Sequence, residues 1–353
     1  MTLFTVGPVM MYPETLKIEG EQLPYFRTEE FGQLMKESAK NYLETIHAPS
    51  DAYFVGLTSS GTGAMDATVQ NLLTKEDKVL VINGGSFGSR FAQITRTYGI
   101  PTDTYDIPLL KAFSAEEFEE FSGKGYTALL VNACDTSTGQ KYDLEYLSDF
   151  CKRNNMLFIV DAVSAYLTDP IDMEAQNIDV VLTASQKALA LSPGVALVAL
   201  SAKAYARLNK STPSFYFDFK SYIENQKRGQ PPFTSAVGVM LALHQRLADI
   251  AARGVESENA LHLHRAEYFR KAVSRLPVEI PDIPLSNCVT PVIFPERNAS
   301  YVYNELKDKY DIYLTPSGGD WKDIQLRVGH LGNLSEADFD NLVEKMELIL
   351  GGK

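Results

Sequence analysis

Two ionisable side chains directly follow runs of apolar residues, where a sheet could hold them away from water. Lys187 lies in TASQKAL (183–189), and Asp161 ends the run LFIV (157–160). A lysine partly removed from water has a lowered pKa and becomes a usable amine nucleophile, and a carboxylate nearby could pair with a cation. Each also has an ordinary explanation: Lys187 could extend into solvent from a helix start, and Asp161 could cap a turn. Neither residue alone predicts a function.

A turn of small residues, SSGTG (59–63), follows the apolar run YFVGL and precedes a predicted helix. Ser60, Gly61 and Thr62 would let the backbone close on an anion, and a helix N-terminus offers unpaired N–H groups and a positive dipole end. Serine and glycine are also common in ordinary strand-to-helix turns. The turn is neither a Walker A loop nor a complete dinucleotide fingerprint. It is therefore a candidate phosphate-binding turn.

Short apolar runs between about residues 50 and 200 predict the strands that would position these side chains. They have apolar character throughout, which suits strands covered on both faces, and amphipathic stretches alternate with them. This alternation predicts an α/β fold with a mainly parallel sheet and right-handed crossovers. Helices are expected over Ala64–Leu73 and Phe87–Tyr98. The runs are YFVGL (53–57), VLVI (79–82), ALLVNA (128–133), LFIVDA (157–162), VVLTAS (180–185) and VALVAL (195–200).

The character of the sequence changes after about Arg253. A long helical segment, Glu256–Arg275, is followed by short strands punctuated by proline and by a final helix after Leu334, for which Ser335 is the expected N-cap. We expect a large domain over residues 15–253 and a small α+β domain over residues 254–353 that also takes in residues 1–14. This division agrees with the usual size of domains.

Composition excludes several classes of function. The 353-residue chain has a formal net charge of −12, which argues against a nucleic-acid partner because such a partner normally requires a clustered basic face. No stretch approaches the roughly 18 apolar residues of a membrane span, and the N-terminus does not resemble a signal peptide. We therefore expect a cytoplasmic protein without a membrane partner.

Cysteine and histidine residues predict neither a disulfide framework nor a metal site. The three cysteines, Cys134, Cys151 and Cys288, are odd in number and widely spaced, without a Cys-x-x-Cys pair. His262 and His264 are two residues apart on a predicted helix and therefore point in different directions, whereas helical metal pairs use three- or four-residue spacing.

The candidate residues follow one order along the chain: the phosphate turn, Phe87, Thr136, Asp161 and then Gln186-Lys187, each at or near the carboxyl end of a strand. The chain here resembles the class V aminotransferases of fold type I, in the branch of alanine–glyoxylate, serine–pyruvate and 2-aminoethylphosphonate–pyruvate aminotransferases. The likeness spans nearly the whole chain. Its motifs are GPV (7–9), SSGTGA (59–64), GGSFGSR (84–90), DTSTG (135–139), VDAVSA (160–165), SQKAL (185–189), SPG (192–194), GQPPFTSAVG (229–238) and LRVG (326–329).

The resemblance implies a seven-stranded sheet flanked by helices, a smaller C-terminal domain, and pyridoxal 5'-phosphate as cofactor. Lys187 would carry the cofactor as a Schiff base and move the α proton of the substrate, and Asp161 would keep the pyridine nitrogen protonated so that the ring accepts electrons. Phe87 would stack on the ring and Thr136 would lie near its ring oxygen. The further cofactor contacts implied are Ser60, Gly61, Thr62, Val163 and Gln186.

Other implied positions concern the partner subunit and the substrate. Thr234 matches a residue that reaches the phosphate of the neighbouring subunit, which implies a homodimer with active sites at the subunit interface. The alanine–glyoxylate pattern has a tyrosine three residues earlier, where this chain has Pro231, so one phosphate contact is absent or supplied elsewhere. Arg327 matches the arginine that binds the substrate carboxylate with a bidentate fork. Arg27 matches an arginine of the N-terminal region to which the resemblance assigns no role.

The expected reaction moves an amino group from a small donor, of the alanine, serine or 2-aminoethylphosphonate type, to pyruvate or glyoxylate by a ping-pong mechanism. The alternative is a lyase or desulfurase with the same cofactor and fold. A desulfurase would need a cysteine nucleophile on a mobile loop, and no cysteine lies in a recognisable Ser/Gly-rich loop. A nucleotide-binding oxidoreductase or a non-catalytic binding protein would leave the Asp161–Lys187 pair unexplained.

Overall fold

Short strands and helices alternate along the computed structural model, which describes residues 1–209 and 212–351. The strands are β1 (Thr2–Leu3), β2 (Tyr53–Thr58), β3 (Val79–Asn83), β4 (Thr102–Asp106), β5 (Ala128–Asn132), β6 (Cys134–Asp135), β7 (Gln140–Lys141), β8 (Leu157–Asp161), β9 (Val180–Ala184), β10 (Val195–Leu200), β11 (Val289–Ile293), β12 (Ile312–Tyr313), β13 (Thr315–Pro316) and β14 (Gln325–Gly329). The helices are α1 (Pro13–Glu19), α2 (Glu29–Thr45), α3 (Gly61–Leu72), α4 (Ser86–Thr97), α5 (Ala115–Phe118), α6 (Leu144–Arg153), α7 (Ala202–Ala206), α8 (Phe219–Gln226), α9 (Val237–Arg253), α10 (Val255–Val273), α11 (Ala299–Tyr310) and α12 (Glu336–Gly351).

A seven-stranded sheet with the order β2-β10-β9-β8-β5-β3-β4 forms the centre of the fold. Strand β10 runs antiparallel to both of its neighbours, β2 and β9. The other neighbouring strands are parallel. The expectation of a mainly parallel α/β sheet is therefore confirmed, and the carboxyl ends of its parallel strands meet along one edge.

Side chains alternate between two hydrophobic cores, one on each face of the sheet. On β5, Leu129 and Val131 pack in the core that contains helices α2, α6 and α9. Ala128 and Leu130 point to the other core, where helices α3 and α4 cover the sheet. Every residue of β5, β8, β9 and β10 is buried, because both faces of these strands are covered. This explains why they read as continuous apolar runs.

Strand β4 (Thr102–Asp106) was missing from the apolar runs that predicted the sheet. Its sequence, TDTYD, is polar because β4 lies at the sheet edge and only Tyr105 is buried. Helix α3 begins three residues earlier than expected, because the hydroxyl of Ser60 accepts a hydrogen bond from the N–H of Gly63 and caps the helix there.

A third hydrophobic core lies in the C-terminal part of the chain. It joins the three-stranded sheet β11-β14-β13 to helices α10, α11 and α12. Strand β1 pairs in parallel with β12, and Phe4 packs against Phe339 in this core at a ring-centroid distance of 5.3 Å. Ser335 caps α12 as expected, since its Oγ accepts from the N–H of Asp338 at 3.4 Å. Among the described helices, none has the length and apolar character needed to cross a membrane.

Candidate active site

Asp161 and Asn132 end two neighbouring parallel strands and lie side by side in the register of β8 and β5. The carboxylate of Asp161 accepts hydrogen bonds from the side-chain amide of Asn132 at 2.6 Å and from the N–H of Val163 at 2.8 Å. Burial raises the pKa of Asp161 to about 6, and these two hydrogen bonds limit the increase. The sheet thus holds a carboxyl group that a neighbouring positive charge would keep ionised.

Lys187 lies in the loop after β9, with 7% of its surface exposed. Its Nζ donates a hydrogen bond to the carbonyl oxygen of Val6 and lies 5.9 Å from the ring centroid of Phe87. Burial lowers the pKa of Lys187, and the negative charge of Asp161 partly opposes this effect. A lysine in these surroundings can supply a neutral amine for attack on a carbonyl group.

The candidate phosphate turn caps helix α3. No acceptor is recorded, among the described residues, for the N–H groups of Gly61 and Thr62 in its first turn. A Cβ atom on Gly61 would lie 2.9 Å from a methyl group of Val163, so Val163 and the turn are in contact. These residues leave the helix N-terminus free to meet an anionic group.

Arg90 connects this turn to Phe87. Its Nη1 donates to the hydroxyl of Thr62 at 2.9 Å, and its guanidinium lies 4.7 Å from the ring centroid of Phe87. Phe87 and Arg90 project from the first two turns of α4, three residues apart, and therefore share one face of the helix. A positive charge therefore stands beside the turn, and the half-buried ring of Phe87 is held near Lys187.

Thr136 and Arg327 join the central sheet to the C-terminal core. The hydroxyl of Thr136 shares a hydrogen bond of 2.6 Å with Ser164. The guanidinium of Arg327 donates to the carbonyl oxygen of Thr136 at 3.1 Å and to that of Pro316 at 3.0 Å. Its buried Nε has no partner among the described residues. A cavity of about 430 Å³ opens beside Arg327, and its wall includes Ser137 and Trp321.

The donors and acceptors of this site fit a phosphorylated pyridine aldehyde. Gln186 directly precedes Lys187, and its buried Oε1 has no hydrogen-bond partner in the described part of the chain, which leaves an acceptor for a ligand or water. The buried carboxyl group could pair with a ring nitrogen, and the buried amine could attack an aldehyde. The free N–H groups of Gly61 and Thr62 at the helix start could bind a phosphate.

Thr234 is not brought together with the other predicted residues. It is exposed and makes no recorded hydrogen bond with the described part of the chain. The segment that carries it does approach the phosphate turn, because the N–H of Ala236 donates to the hydroxyl of Thr58 at 3.1 Å. Arg27 contacts the same segment through the carbonyl oxygens of Pro231 and Pro232.

Sequence reasoning missed Asn132, Arg90 and the main chain of Val6. Asn132 ends the run ALLVN beside the strand that ends in Asp161, so adjacent strand ends were a usable signal. Arg90 follows Phe87 by three residues, which is a helical spacing. The contact of Val6 with Lys187 spans 181 positions and leaves no local trace in the sequence.

The cysteine side chains do not support a nucleophilic role. Cys134, Cys151 and Cys288 are all buried. Burial raises the pKa of Cys151. The hydrogen bond with Cys288 and, second, burial raise the pKa of Cys134. The thiols of Cys134 and Cys151 are therefore poorly ionised and unreactive.

Within the described residues no cluster of three or more potential metal ligands occurs.

Comparison with known proteins agrees with this geometry. Residues 23–277 match the family model "Aminotransferase class-V". Two curated relatives are the soluble hydrogenase 42 kDa subunit of Anabaena cylindrica, 30% identical over 92% of this chain and 86% of its own, and the L-aspartate–glyoxylate aminotransferase of Paracoccus denitrificans, 28% identical over 95% and 87%.

A solved structure described as the subgroup IV aspartate aminotransferase of Thermus thermophilus superposes with a TM-score of 0.92 at 26% identity, covering 100% of this chain and 99% of that one. The expected fold type I architecture is therefore confirmed. The family match covers well over half of the chain. This protein belongs to the class-V family of pyridoxal-phosphate-dependent aminotransferases.

Proposed function

We propose that this chain is a homodimeric aminotransferase that carries pyridoxal 5'-phosphate as a Schiff base on Lys187. The single observation that carries the proposal is the buried arrangement of Lys187 near Phe87 with Asp161 at the adjoining strand end. When bound, the cofactor supplies the electron sink that makes the α proton of an amino acid removable.

The chain's own side chains would each perform one task. Asp161 would hold a proton on the pyridine nitrogen, since a buried carboxylate gains most from a cation beside it. Lys187, released from the cofactor by the incoming amine, would move the proton at the α carbon. Ser60, Gly61, Thr62 and Gln186 would hold the phosphate. Phe87 and Val163 would face the ring, and Thr136 would lie near its oxygen.

Small substrates suit the cavity next to Arg327. Its volume of about 430 Å³ is near the lower end for small-molecule sites. The guanidinium of Arg327 would exchange the carbonyl oxygens of Thr136 and Pro316 for the two oxygens of a carboxylate. We expect alanine, serine or 2-aminoethylphosphonate as donor type and glyoxylate or pyruvate as acceptor. The name of the Paracoccus relative favours glyoxylate.

Exposed aromatic side chains near Thr234 support the homodimer. Phe215 is 86% exposed and Tyr216, which stacks on Phe233, is 37% exposed. Phe215 lies 5.4 Å from Phe233, which directly precedes Thr234. Large exposed apolar groups at one place favour a protein contact. Thr234 would reach the phosphate of the partner subunit across this contact.

Two further expectations stay proposals. The division into domains at residues 253 and 254, with residues 1–14 in the small domain, is supported by the separate C-terminal core, although the last two residues of that domain lie outside the described part. Phe4 belongs to that core, whereas Val6 and Val9 pack against the large sheet. A cytoplasmic location remains a prediction.

A half-reaction experiment tests the chemistry. Single amino donors are added to the purified protein while the visible absorbance of the cofactor is followed. A true donor should bleach this band, and glyoxylate or pyruvate should restore it. If the donor releases ammonia or sulfide when no oxo acid has been added as acceptor, the protein is instead a lyase or desulfurase.

Covalent labelling tests the attachment. Borohydride reduction should fix the cofactor to the protein, and peptide mapping should find it on Lys187. A label on another lysine would contradict the site assignment.

A further inference from the structure

Arg27 grips the segment that precedes Thr234. Its Nη1 donates to the carbonyl oxygen of Pro231 at 2.7 Å, and its Nη2 donates to that of Pro232 at 3.3 Å. Proline has no N–H, so these two positions cannot anchor themselves by donating backbone hydrogen bonds. Their carbonyl oxygens remain as hydrogen-bond acceptors, and a planar guanidinium with several donors can reach both at once.

The start of helix α2 holds the same segment at a second point. The side-chain amide of Gln230 donates to the carbonyl oxygen of Thr28 at 3.1 Å. Gly229, with a φ of +70°, lies so close to Gly32 that a Cβ atom on it would overlap the Gly32 carbonyl. The chain around Arg27 is therefore packed directly against residues 229–232.

The residues on both sides of Thr234 are also fixed in place. The ring of Phe233 stacks on Tyr216 with a centroid distance of 5.1 Å and an interplanar angle of 16°. The N–H of Ala236 donates to the hydroxyl of Thr58. Thr234 is thus exposed between fixed neighbours, and its own hydroxyl has no recorded partner within the described residues.

We infer that Arg27 is a positioning residue that sets the backbone of residues 231–232 so that the Thr234 hydroxyl is presented to the cofactor phosphate of the partner subunit. This inference rests on the proposed function and deepens it. It also gives Pro231 a role, because the carbonyl oxygen at that position is the acceptor for Arg27. Here the segment is fixed from its own subunit by an arginine.

A double-mutant cycle on the holoenzyme tests the inference. The purified dimer is dialysed, and the loss of pyridoxal phosphate is followed by the visible absorbance of the protein. Thr234→Ala and Arg27→Ala should each increase the rate of loss about tenfold, the effect of one hydrogen bond to a charged group. In the Thr234→Ala background, Arg27→Ala should change the rate less than about twofold, because both substitutions remove the same contact.

Two further variants separate positioning from general stability. Arg27→Lys keeps the charge but loses the fork, so it should recover only part of the retention, and it serves if Arg27→Ala does not fold. Arg228→Ala is the matched control, since the Arg228 side chain is exposed and its one recorded hydrogen bond within the described residues goes to Asn225, at 2.6 Å. It should leave cofactor retention unchanged.

The outcomes distinguish failure of the inference from failure of the proposed function. Additive effects of Arg27 and Thr234, or unchanged retention in Arg27→Ala and Arg27→Lys, would overturn the inference while the proposed function stands. Unchanged retention in Thr234→Ala would overturn both the inference and the proposed role of Thr234. A wild-type protein that holds no pyridoxal phosphate would overturn the proposed function itself.

Discussion

At the scale of single residues, the site buries ionisable side chains whose charged forms are poorly stabilised without a ligand. Asp161 is a buried carboxyl group with a raised pKa, and Arg327 is a guanidinium whose pKa is lowered by burial. Arrangements of this kind reduce the stability of the empty fold in exchange for function. Both residues therefore allow experiments in which stability and activity move differently.

Asp161→Asn should abolish turnover and stabilise the cofactor-free protein. Burial raises the pKa of Asp161 in the folded state from its ordinary value of 3.8 to about 6, so the folded state favours the protonated form. The stabilisation that this gives is complete below about pH 4 and is lost as the pH rises through 6. Above pH 6 we expect the variant to be about 1–3 kcal/mol more stable than wild type, with no difference at pH 4.

Asparagine can be accommodated at this position, because Asn132 has an unpaired Oδ1 that can turn to accept from it. Urea unfolding of the cofactor-free proteins at several pH values would measure the difference. A stability gain that does not depend on pH would contradict the assigned ionisation, and wild-type turnover in the variant would remove the proposed role on the pyridine nitrogen.

Arg327→Ala should lower kcat/KM at least tenfold for donors and acceptors that carry a carboxylate, because a charged hydrogen bond contributes about 1.5–3 kcal/mol. Arg327→Lys should restore part of the loss. The structure also gives Arg327 a mechanical role through Thr136 and Pro316. A variant with a lower Tm but an unchanged kcat/KM for every substrate would show that Arg327 serves only to stabilise the structure.

At the scale of elements, the sequence predicts best those strands that are covered on both faces. The runs over β5, β8, β9 and β10 are apolar throughout, so their composition alone reveals them, whereas the polar edge strand β4 gives no such signal. Residues at the ends of these strands, such as Asp161, could be predicted for the same reason. Contacts between distant segments could not be: Arg27 and Pro231 lie 204 positions apart.

The N-terminal segment between β1 and α1 is the element that closes the site over Lys187. Gly7 has a φ of +124°, and a Cβ atom there would lie 2.8 Å from Cδ of Lys187 and 2.9 Å from the carbonyl oxygen of Gln186. Gly7→Ala should therefore displace the lysine chain and reduce kcat at least tenfold, since small misplacements at a reacting centre cost this much or more.

Gly351→Ala is the matched control for Gly7→Ala, because none of the described residues lies within 4 Å of a Cβ atom added at Gly351. It should retain full activity and full cofactor content. Full activity in Gly7→Ala as well would show that the segment moves aside without affecting Lys187.

At the scale of the whole molecule, the exposed aromatic surface beside Thr234 predicts a stable dimer. Sedimentation should give a dimer at micromolar concentration. Phe215→Ser should raise the dimer dissociation constant about tenfold or more, because it removes a large apolar side chain from the expected contact. Leu348→Ser, which changes a 57% exposed leucine on α12, is the control and should leave the dimer intact. A fully active monomer would contradict the homodimer.

The pairing of β1 with β12 also has a consequence for how the chain matures during synthesis. Thr2 pairs with Ile312, so the strand that contains Thr2 must wait for a partner that is synthesised much later. Until then the segment that carries Val6 and Gly7 has no fixed place above Lys187. The parallel sheet can assemble earlier, as an N-terminal unit does while the remaining chain is made. A nascent chain that stalls before residue 312 should therefore possess the central sheet and yet be inactive, and activity should appear only after β12 has been synthesised.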